Sequence, residues 1–359
     1  MINQNFGGTL TLDLLQKRAK IIGEVRAFFD SRKYLPLDTP LLAPELIPES
    51  CLEVFETAWI PPAGSRQQPE KLWLIPSPEI WMKQLINLHE VNMYQICKCF
   101  RNAESRGHLH NPEFTMLEYY TMNADYLDSL AVTEDLFAYL RNVLPEVSLG
   151  PKEPFLRITM DEAFRTWAGF SLSEVILSGG ETQIAGRNGF IGKNGRAALE
   201  REGRRLGLEP VPDTMDDLSA IALLYDLIFI HSVEPSLPKD RPVAILDYPA
   251  FVPCLAKNRE DSKGYIIKER WELYFGGAEL ANCYSEETDP AEISRFFKEE
   301  TAKKRQNARI KHRIAQNFPN NCRSKQEIRP YSGVAMGLDR LIMILCKKMY
   351  LENILPFPF

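Results

Sequence analysis

Phe100-Arg101-Asn102-Ala103-Glu104, followed six residues on by His110-Asn111-Pro112-Glu113-Phe114-Thr115-Met116-Leu117-Glu118, decides how the rest of this chain is read. Nineteen residues hold arginine, histidine, three carboxylates and an aromatic, a density that suggests a site and not a solvated face. Arginine offers a planar fork for a phosphate, histidine a second cation or donor, and phenylalanine a face for a base. Carboxylates can hold a metal or an ammonium group. Together they read as a nucleotide pocket beside an amine pocket.

The flanking pattern mixes strands and helices. Leu72 to Pro76, Val91 to Phe100 and Glu113 to Met122 read as strands, with helices predicted over Pro78 to Leu88 and Thr133 to Val143. Nearer the start, Ala19, Ile22, Val25 and Phe29 recur at helical spacing between Leu15 and Phe29. Pro36 and Pro40 stop that amphipathic helix and leave a short extended segment ending at Pro40. A helix leading into an edge strand either packs on its own domain or makes a dimer contact.

Trp271 to Glu287 has a hairpin signature, because Gly276-Gly277 separates two strand-like runs. A two-residue turn there pairs Tyr274 with Glu279 and makes Glu272 and Glu279 diagonal neighbours, which invites a divalent cation. Past the turn, Asn282, Tyr284 and Glu286 share the opposite face from Glu279 unless a bulge intervenes. The block Tyr331 to Arg340 alternates small residues in a strand and then enters an apolar helix, Leu341 to Cys346. Small side chains there let a ligand approach the backbone.

Composition sets outer bounds. With 359 residues, 45% hydrophobic and 25% charged, the chain is an ordinary globular protein, and its net charge of −5 argues against broad attraction to nucleic acid. The basic run Lys298 to Arg313 is either a solvated helix face or a docking surface. Seven cysteines without framework spacing suit a reducing compartment. Met1 to Asn5 shows neither a basic leader nor an apolar signal core, and Ile221 to Ile230, broken by Asp226, is too short to span a bilayer. A cytoplasmic protein without membrane attachment is expected. Six glycines between Ser178 and Arg196 fail the Walker spacing and read as a flexible insertion within about 171–217.

Three separated blocks resemble, in order, the signature motifs of class II aminoacyl-tRNA synthetases: the helix and strand ending at Pro40, the stretch from Phe100-Arg101 to Glu118, and Gly337-Leu338-Asp339-Arg340. Ser77-Pro78-Glu79, His110 to Met116, Asp247-Tyr248-Pro249 and Glu279-Leu280-Ala281-Asn282 are similar to the lysyl branch. The first motif begins within the first twenty positions, where a lysyl-tRNA synthetase has an anticodon-binding barrel ahead of it. That organisation, with Leu117 to Tyr120 and Gly333-Val334-Ala335 in place of Gly-x-Gly, resembles the elongation factor P lysine ligase family.

The resemblance implies an α+β class II catalytic fold, an antiparallel β-sheet flanked by helices, as a single domain over 1–359 with no anticodon-binding domain. It implies an ATP-dependent, AMP-forming ligase that activates lysine or (R)-beta-lysine and transfers it to a lysine of elongation factor P, as a homodimer that does not act on tRNA. Carried over by position, Arg101 binds the α-phosphate and substrate carboxylate, His110 the outer phosphates, and Phe114 stacks on adenine against Arg340. Glu104 and Glu279 belong to the ATP site, and Glu272 and Glu279 hold Mg2+. Glu79 accepts the backbone-type ammonium, Glu118 and Glu286 the side-chain ammonium, while Tyr120, Asn282, Tyr284 and Ala335 line the pocket.

The motif between Arg101 and His110 is one residue longer than usual, with Ala103 where an acid is expected, and Cys283 and Tyr284 replace a glycine and a phenylalanine. Rival readings are a ligase with tRNA or another acceptor, an ammonia-dependent asparagine synthetase, and a non-catalytic regulatory paralog. The acid pair Glu118 and Glu286 counts against the second, and retention of Arg101, Glu279 and Arg340 against the third.

Overall fold

The computed structural model describes residues 11–104, 107–147, 149–150, 154–183, 190–262, 264–321 and 328–358; the expectations for Met1 to Asn5 and for the middle of the glycine-rich run fall outside them. In chain order the elements begin with α1 (Leu12–Ser31), β1 (Leu35–Pro36), β2 (Leu42–Ala43), β3 (Glu56–Trp59), β4 (Glu70–Leu74), α2 (Glu79–His89), β5 (Met93–Phe100), β6 (Glu113–Met122) and α3 (Tyr126–Val143). There follow β7 (Leu156–Thr159), α4 (Met160–Ala163), α5 (Leu172–Ile176), β8 (Glu181–Gln183), β9 (Phe190–Gly192), α6 (Gly195–Arg205), α7 (Asp217–Ile228), β10 (Val243–Pro249), β11 (Asn258–Glu260), β12 (Ile266–Phe275) and β13 (Ala278–Ser285). The last are α8 (Pro290–Asn307), α9 (Phe318–Asn321), β14 (Tyr331–Gly337) and α10 (Leu338–Leu345).

They form two compact units, Met1–Leu149 with Glu286–Phe359, and Gly150–Ser285. The expected α+β class holds in both. In the first unit the strand order is β1-β5-β6-β14, antiparallel except for the parallel edge pair β1 and β5. In the second it is β13-β12-β10-β7, again antiparallel but for β10 with β7.

Helix α1 starts where Thr11 accepts the Leu14 N–H at 3.3 Å, a side-chain cap for an otherwise orphaned donor. Its buried stripe is Leu14, Ile21, Val25, Phe28 and Phe29. The predicted stripe is out of phase by one residue at its start: Ala19 is exposed and Ile22 only half-buried. The cause is the Phe28-Phe29 pair. Phe29 stacks on Tyr94 of β5 at 5.0 Å and lies 4.8 Å from Tyr119 of β6, so burying both phenylalanines turns the helix toward Ile21. Each such side chain contributes about 2 kcal/mol.

Strand alternation then sorts the first unit's sheet into two faces. Tyr94, Leu117 and Tyr119 lie on the face covered by α1 and α3, where the Tyr119 hydroxyl meets Thr133 Oγ1 at 2.7 Å. Gln95, Cys97, Phe114, Glu118, Tyr120, Gly333 and Ala335 occupy the other, because Gln95 pairs with Glu118, Glu118 with Ala335 and Tyr120 with Gly333. One end of that second face is closed by α2, whose Met82 and Ile86 pack on Met93, Tyr120 and Tyr331.

A buried polar tie links the three motif-bearing segments. Arg18 of α1 pairs with Asp339 at 2.6 Å and donates to Thr115 Oγ1 at 3.1 Å, while Asp339 accepts the Thr115 backbone N–H at 2.6 Å. This fixes the first turn of α10, and therefore Arg340, against β6.

In the second unit, the segment expected to be a flexible insertion contributes to the core. Strands β8 and β9 pair as a hairpin, and Ile176, Ile191, Leu199 and Val211 are buried with α7. Gly192 marks close approach and not looseness, since a Cβ there would strike the Leu177 and Ser178 backbone. The apolar run at Ile221 is also longer than expected, because α7 continues through a π-helical turn, Phe229–Val233, and a 3-10 turn, Glu234–Ser236. By length and composition, Asp217–Ser236 passes as a membrane span, yet Ala220, Ile221, Leu224, Tyr225, Ile228 and Val233 are spent on the unit's own core.

Candidate active site

In the first unit, Arg101 ends β5 where its backbone N–H donates to Pro112 O at 3.0 Å. The next turn bends through Ala103 at φ +57°, a left-handed conformation that alanine adopts only at a cost of about 1 kcal/mol. That bend brings Glu104 back to within 4.0 Å of Arg101 Nη1. The lengthened motif therefore still delivers an acid to the arginine. The Arg101 guanidinium lies over the Phe114 ring, 5.2 Å from its centroid, and its buried Nε has no hydrogen-bond partner. Arg340 reaches the same loop, donating from Nε to Leu109 O at 3.0 Å. Partial desolvation, then the charges of Arg340 and Arg101, hold the His110 pKa below its ordinary value. Arg101, Glu104, His110, Phe114 and Arg340 are thus brought together as a cationic, half-exposed cluster.

The same sheet face carries a second cluster of opposite character. Glu118 is 2% exposed; its Oε1 accepts the Tyr120 hydroxyl at 2.7 Å and its Oε2 has no partner. Burial, then the charge of Glu79, pushes its carboxyl well above the usual carboxylate range. Glu79 begins α2, and Glu286 is 3% exposed. Gly333 is small for a reason: a Cβ there would run into the Tyr120 ring and the Glu286 carboxylate. Ala335 stands opposite Glu118 on β14, so its methyl borders the acid. Beyond them Glu49, buried beside Glu79, has its pKa pushed up to about 7.

Sequence reasoning missed one member of this cluster. Lys83 is buried, with Nζ 2.5 Å from Glu79 Oε1 and 2.7 Å from Glu286 Oε2. On a helix, an acid followed four residues later by lysine reads as a surface pair. The available signal was its neighbours: Met82, Ile86 and Asn87 put the inward face of α2 at Lys83.

In the second unit the hairpin forms as predicted, with Tyr274 opposite Glu279 and Phe275 opposite Ala278. The register then shifts between Leu273 and Tyr274, so that Leu280 is an extra residue on β13. This bulge reverses the alternation. Glu279 opposite Tyr274, Asn282 opposite Glu272, and Tyr284 opposite Arg270 all come to one face, where strict pleating had separated Glu279 from the other two. The three are half-buried while Leu280, Ala281 and Cys283 are buried.

Glu272 has two partners on that face: it pairs with Arg270 and accepts the Tyr274 hydroxyl at 2.7 Å. Arg270, also absent from the predicted set, lies 4.4 Å from the Tyr248 centroid and 5.4 Å from that of Tyr284. Among the described residues no group of three or more His, Cys, Asp or Glu side chains is arranged to hold a metal ion. Glu272 and Glu279 are hard oxygen donors that suit Mg2+, which commonly takes one or two carboxylates and leaves its other positions to phosphate and water.

The Asp247-Tyr248-Pro249 motif serves mainly as a bend. Asp247 has φ +61°, pairs with Arg259 at 3.3 Å, and borders a cavity of about 680 Å³ that also touches Asp161, Arg165, Asp261 and Tyr265.

The basic run is likewise mixed. Lys304 turns inward to Glu49 O and Leu52 O at 2.9 and 2.6 Å, and His312 is buried, whereas Lys298, Lys303, Arg305, Arg309, Lys311 and Arg313 are exposed.

The family model of class II tRNA synthetases (D, K and N) matches residues 10–359. The chain is 32% identical over 356 residues to the elongation factor P–(R)-beta-lysine ligase of Hamiltonella defensa subsp. Acyrthosiphon pisum (strain 5AT), covering 99% of this chain and 97% of that protein. With motif, fold and sequence agreeing over the whole length, the chain belongs to the class II tRNA synthetase family of the D, K and N type and, within it, to the elongation factor P lysine ligase family.

Proposed function

We propose that the chain uses ATP to activate lysine or (R)-beta-lysine as an aminoacyl adenylate and transfers the aminoacyl group to a lysine side chain of elongation factor P. The observation that carries this reading is the acid cluster of buried Glu118 and Glu286 with half-buried Glu79, in the same unit as the Arg101, His110 and Arg340 cations. A desolvated ammonium is tolerated only beside carboxylates, so such a pocket selects an amine-bearing amino acid.

In the first step the substrate carboxylate oxygen attacks the α-phosphorus, and the bond to the β-phosphate oxygen breaks to release pyrophosphate. Arg101 neutralises charge on the carboxylate and α-phosphate, while His110 and Arg340 face the outer phosphates and the base. Phe114 supplies the stacking surface for adenine once the Arg101 guanidinium moves off its ring. In the second step the neutral acceptor amine attacks the adenylate carbonyl, AMP leaves with the carbon–oxygen bond electrons, and the ammonium proton is lost to solvent. Glu272 and Glu279 are assigned to Mg2+, which would offset phosphate charge when bound; Arg270 meanwhile pairs with Glu272. Asn282 and Tyr284 are assigned to the amine substrate.

We further read α1 as a dimer element, since Leu12, Leu15, Leu35, Leu41 and Leu42 are exposed apolar residues on it and the segment that follows. We also read the enzyme as cytoplasmic, which seven cysteines without framework spacing suit.

The test is ATP–pyrophosphate exchange with each lysine isomer, followed by intact-mass measurement of elongation factor P and of tRNA. A mass gain on elongation factor P alone is expected. Gain on tRNA alone would replace the acceptor, and no exchange with folded protein would favour the non-catalytic paralog. Sedimentation at micromolar concentration checks the dimer.

A further inference from the structure

Lys83 has no role in the activity as stated, yet it sits among the residues assigned to select the amine. The residue is 4% exposed, and its ammonium bridges Glu79 Oε1 at 2.5 Å to Glu286 Oε2 at 2.7 Å. Burial alone would draw its proton off; the charges of Glu286, then Glu79, outweigh that and keep it strongly basic. Stability does not explain such an arrangement, because a well-packed apolar side chain of similar volume is commonly as good as a buried ion pair. Charge balance does. Three carboxylates, Glu79, Glu118 and Glu286, converge here with one resident ammonium, leaving two negative charges when all are ionised. A diamino acid brings two ammonium groups.

We propose that Lys83 is a positioning residue that clamps Glu79 to Glu286, holding both turned toward the amine substrate while Glu118 Oε2 stays open to receive it. This rests on the diamine reading above. The groups facing the clamp are Glu79 on its own helix, Glu286, Glu118 and Tyr120 of β6, Tyr331 of β14, and Glu49, which in turn faces Arg101 and Lys304. Without the ammonium, Glu79 and Glu286 become like charges in a dry site, and such pairs hold on to a proton.

The test compares wild type with Lys83→Met, close in volume but uncharged, and Lys83→Arg, which keeps the charge. In exchange kinetics, Lys83→Met is expected to raise KM for the lysine isomer about 30-fold or more with KM for ATP within about 3-fold. It should also steepen the pH dependence of the amino-acid KM, which falls as pH rises and the acids ionise. Lys83→Arg should restore the wild-type profile at least in part. An unchanged amino-acid KM in Lys83→Met overturns the inference, as does Lys83→Arg matching Lys83→Met in both KM and profile, since packing and not charge would then be at issue. Should Lys83→Met fail to fold, Glu79→Gln/Lys83→Met leaves no repelling pair: raised KM without the steeper pH dependence is expected, and wild-type KM overturns the clamp. Wild type inactive with every lysine isomer would instead remove the ligase reading itself.

Discussion

The two clusters on the first unit's open sheet face are built in contrary ways. The cationic one is gathered around the loop after β5 and is half-exposed; Glu104 stands 4.0 Å from Arg101, which rests on the aromatic ring assigned to the base. The acidic one sits on strands and a helix, is buried except for half-buried Glu79, and is closed by contacts of 2.5 to 2.7 Å among Lys83, Glu79, Glu286, Glu118 and Tyr120. A triphosphate carries enough charge to reorganise solvated cations as it binds, so its site need not be finished beforehand. A single ammonium does not, and an acid in water would discriminate poorly. Selectivity for the amine therefore requires groups desolvated and fixed in advance.

Glu118→Gln breaks the contrast most directly. The neutral amide keeps the shape but loses the acceptor charge, and KM for the lysine isomer in the exchange assay is expected to rise about 100-fold or more, with KM for ATP nearly unchanged. Stability should move the other way. A carboxyl whose folded pKa lies above its unfolded value keeps its proton in the folded state, so its stabilising contribution is complete below the ordinary carboxylate range and disappears as pH rises through the folded pKa. Glutamine removes that loss, and the variant should melt at or above the wild-type temperature at pH 8. Equal KM, or a lower melting point at that pH, would contradict a desolvated acid that is functional first and structural second.

How far the sequence reveals these clusters depends on whether local periodicity survives. Glu118, Tyr120, Gly333 and Ala335 are legible because β6 and β14 run without interruption, so alternation alone puts them on one face. Glu279, Asn282 and Tyr284 are legible as candidates but not as neighbours, because the extra residue Leu280 has no compositional signature. Lys83 and Arg270 are hidden for a different reason: each lies beside an acid at a spacing that on a surface means nothing, and only tertiary burial turns the pair into part of a site. The glycine-rich run misleads in the opposite sense, since at Gly192 the lack of a side chain permits contact with the chain at Leu177 and Ser178.

On the cationic side, Arg101→Lys gives a smaller effect. Lysine keeps the charge but loses the planar fork and the ring contact with Phe114, and the exchange rate is expected to fall about 10- to 30-fold while KM for the lysine isomer changes less than about 3-fold. Because half-exposed charges are screened, this defect should grow with added salt, whereas the Glu118→Gln defect should not. A salt-insensitive Arg101→Lys would mean that the loop closes over its ligand and becomes as dry as the amine site.

The subtlest consequence is in protons. Burial and the charge of Glu79 raise the Glu118 carboxyl above its ordinary value in the empty protein, and an ammonium arriving beside it draws it back down, so amine binding favours proton release. His110 lies on the opposite side of the balance: its pKa is lowered by partial desolvation and by Arg340 and Arg101, and phosphates arriving there restore the protonated form. Nucleotide binding should thus take protons up and weaken as pH rises through the ordinary histidine range. Calorimetry of each ligand at pH 7 in buffers of different ionisation enthalpy reads the two signs separately. Release is expected for the lysine isomer, and uptake of well below one proton for a nonhydrolysable ATP analogue, because at pH 7 bound phosphates return His110 only toward its ordinary value. Uptake should disappear in His110→Gln and release in Glu118→Gln. The same sign for both ligands would show that the clusters share one proton reservoir, with Glu49, which faces both Arg101 and Glu79, as the group able to connect them.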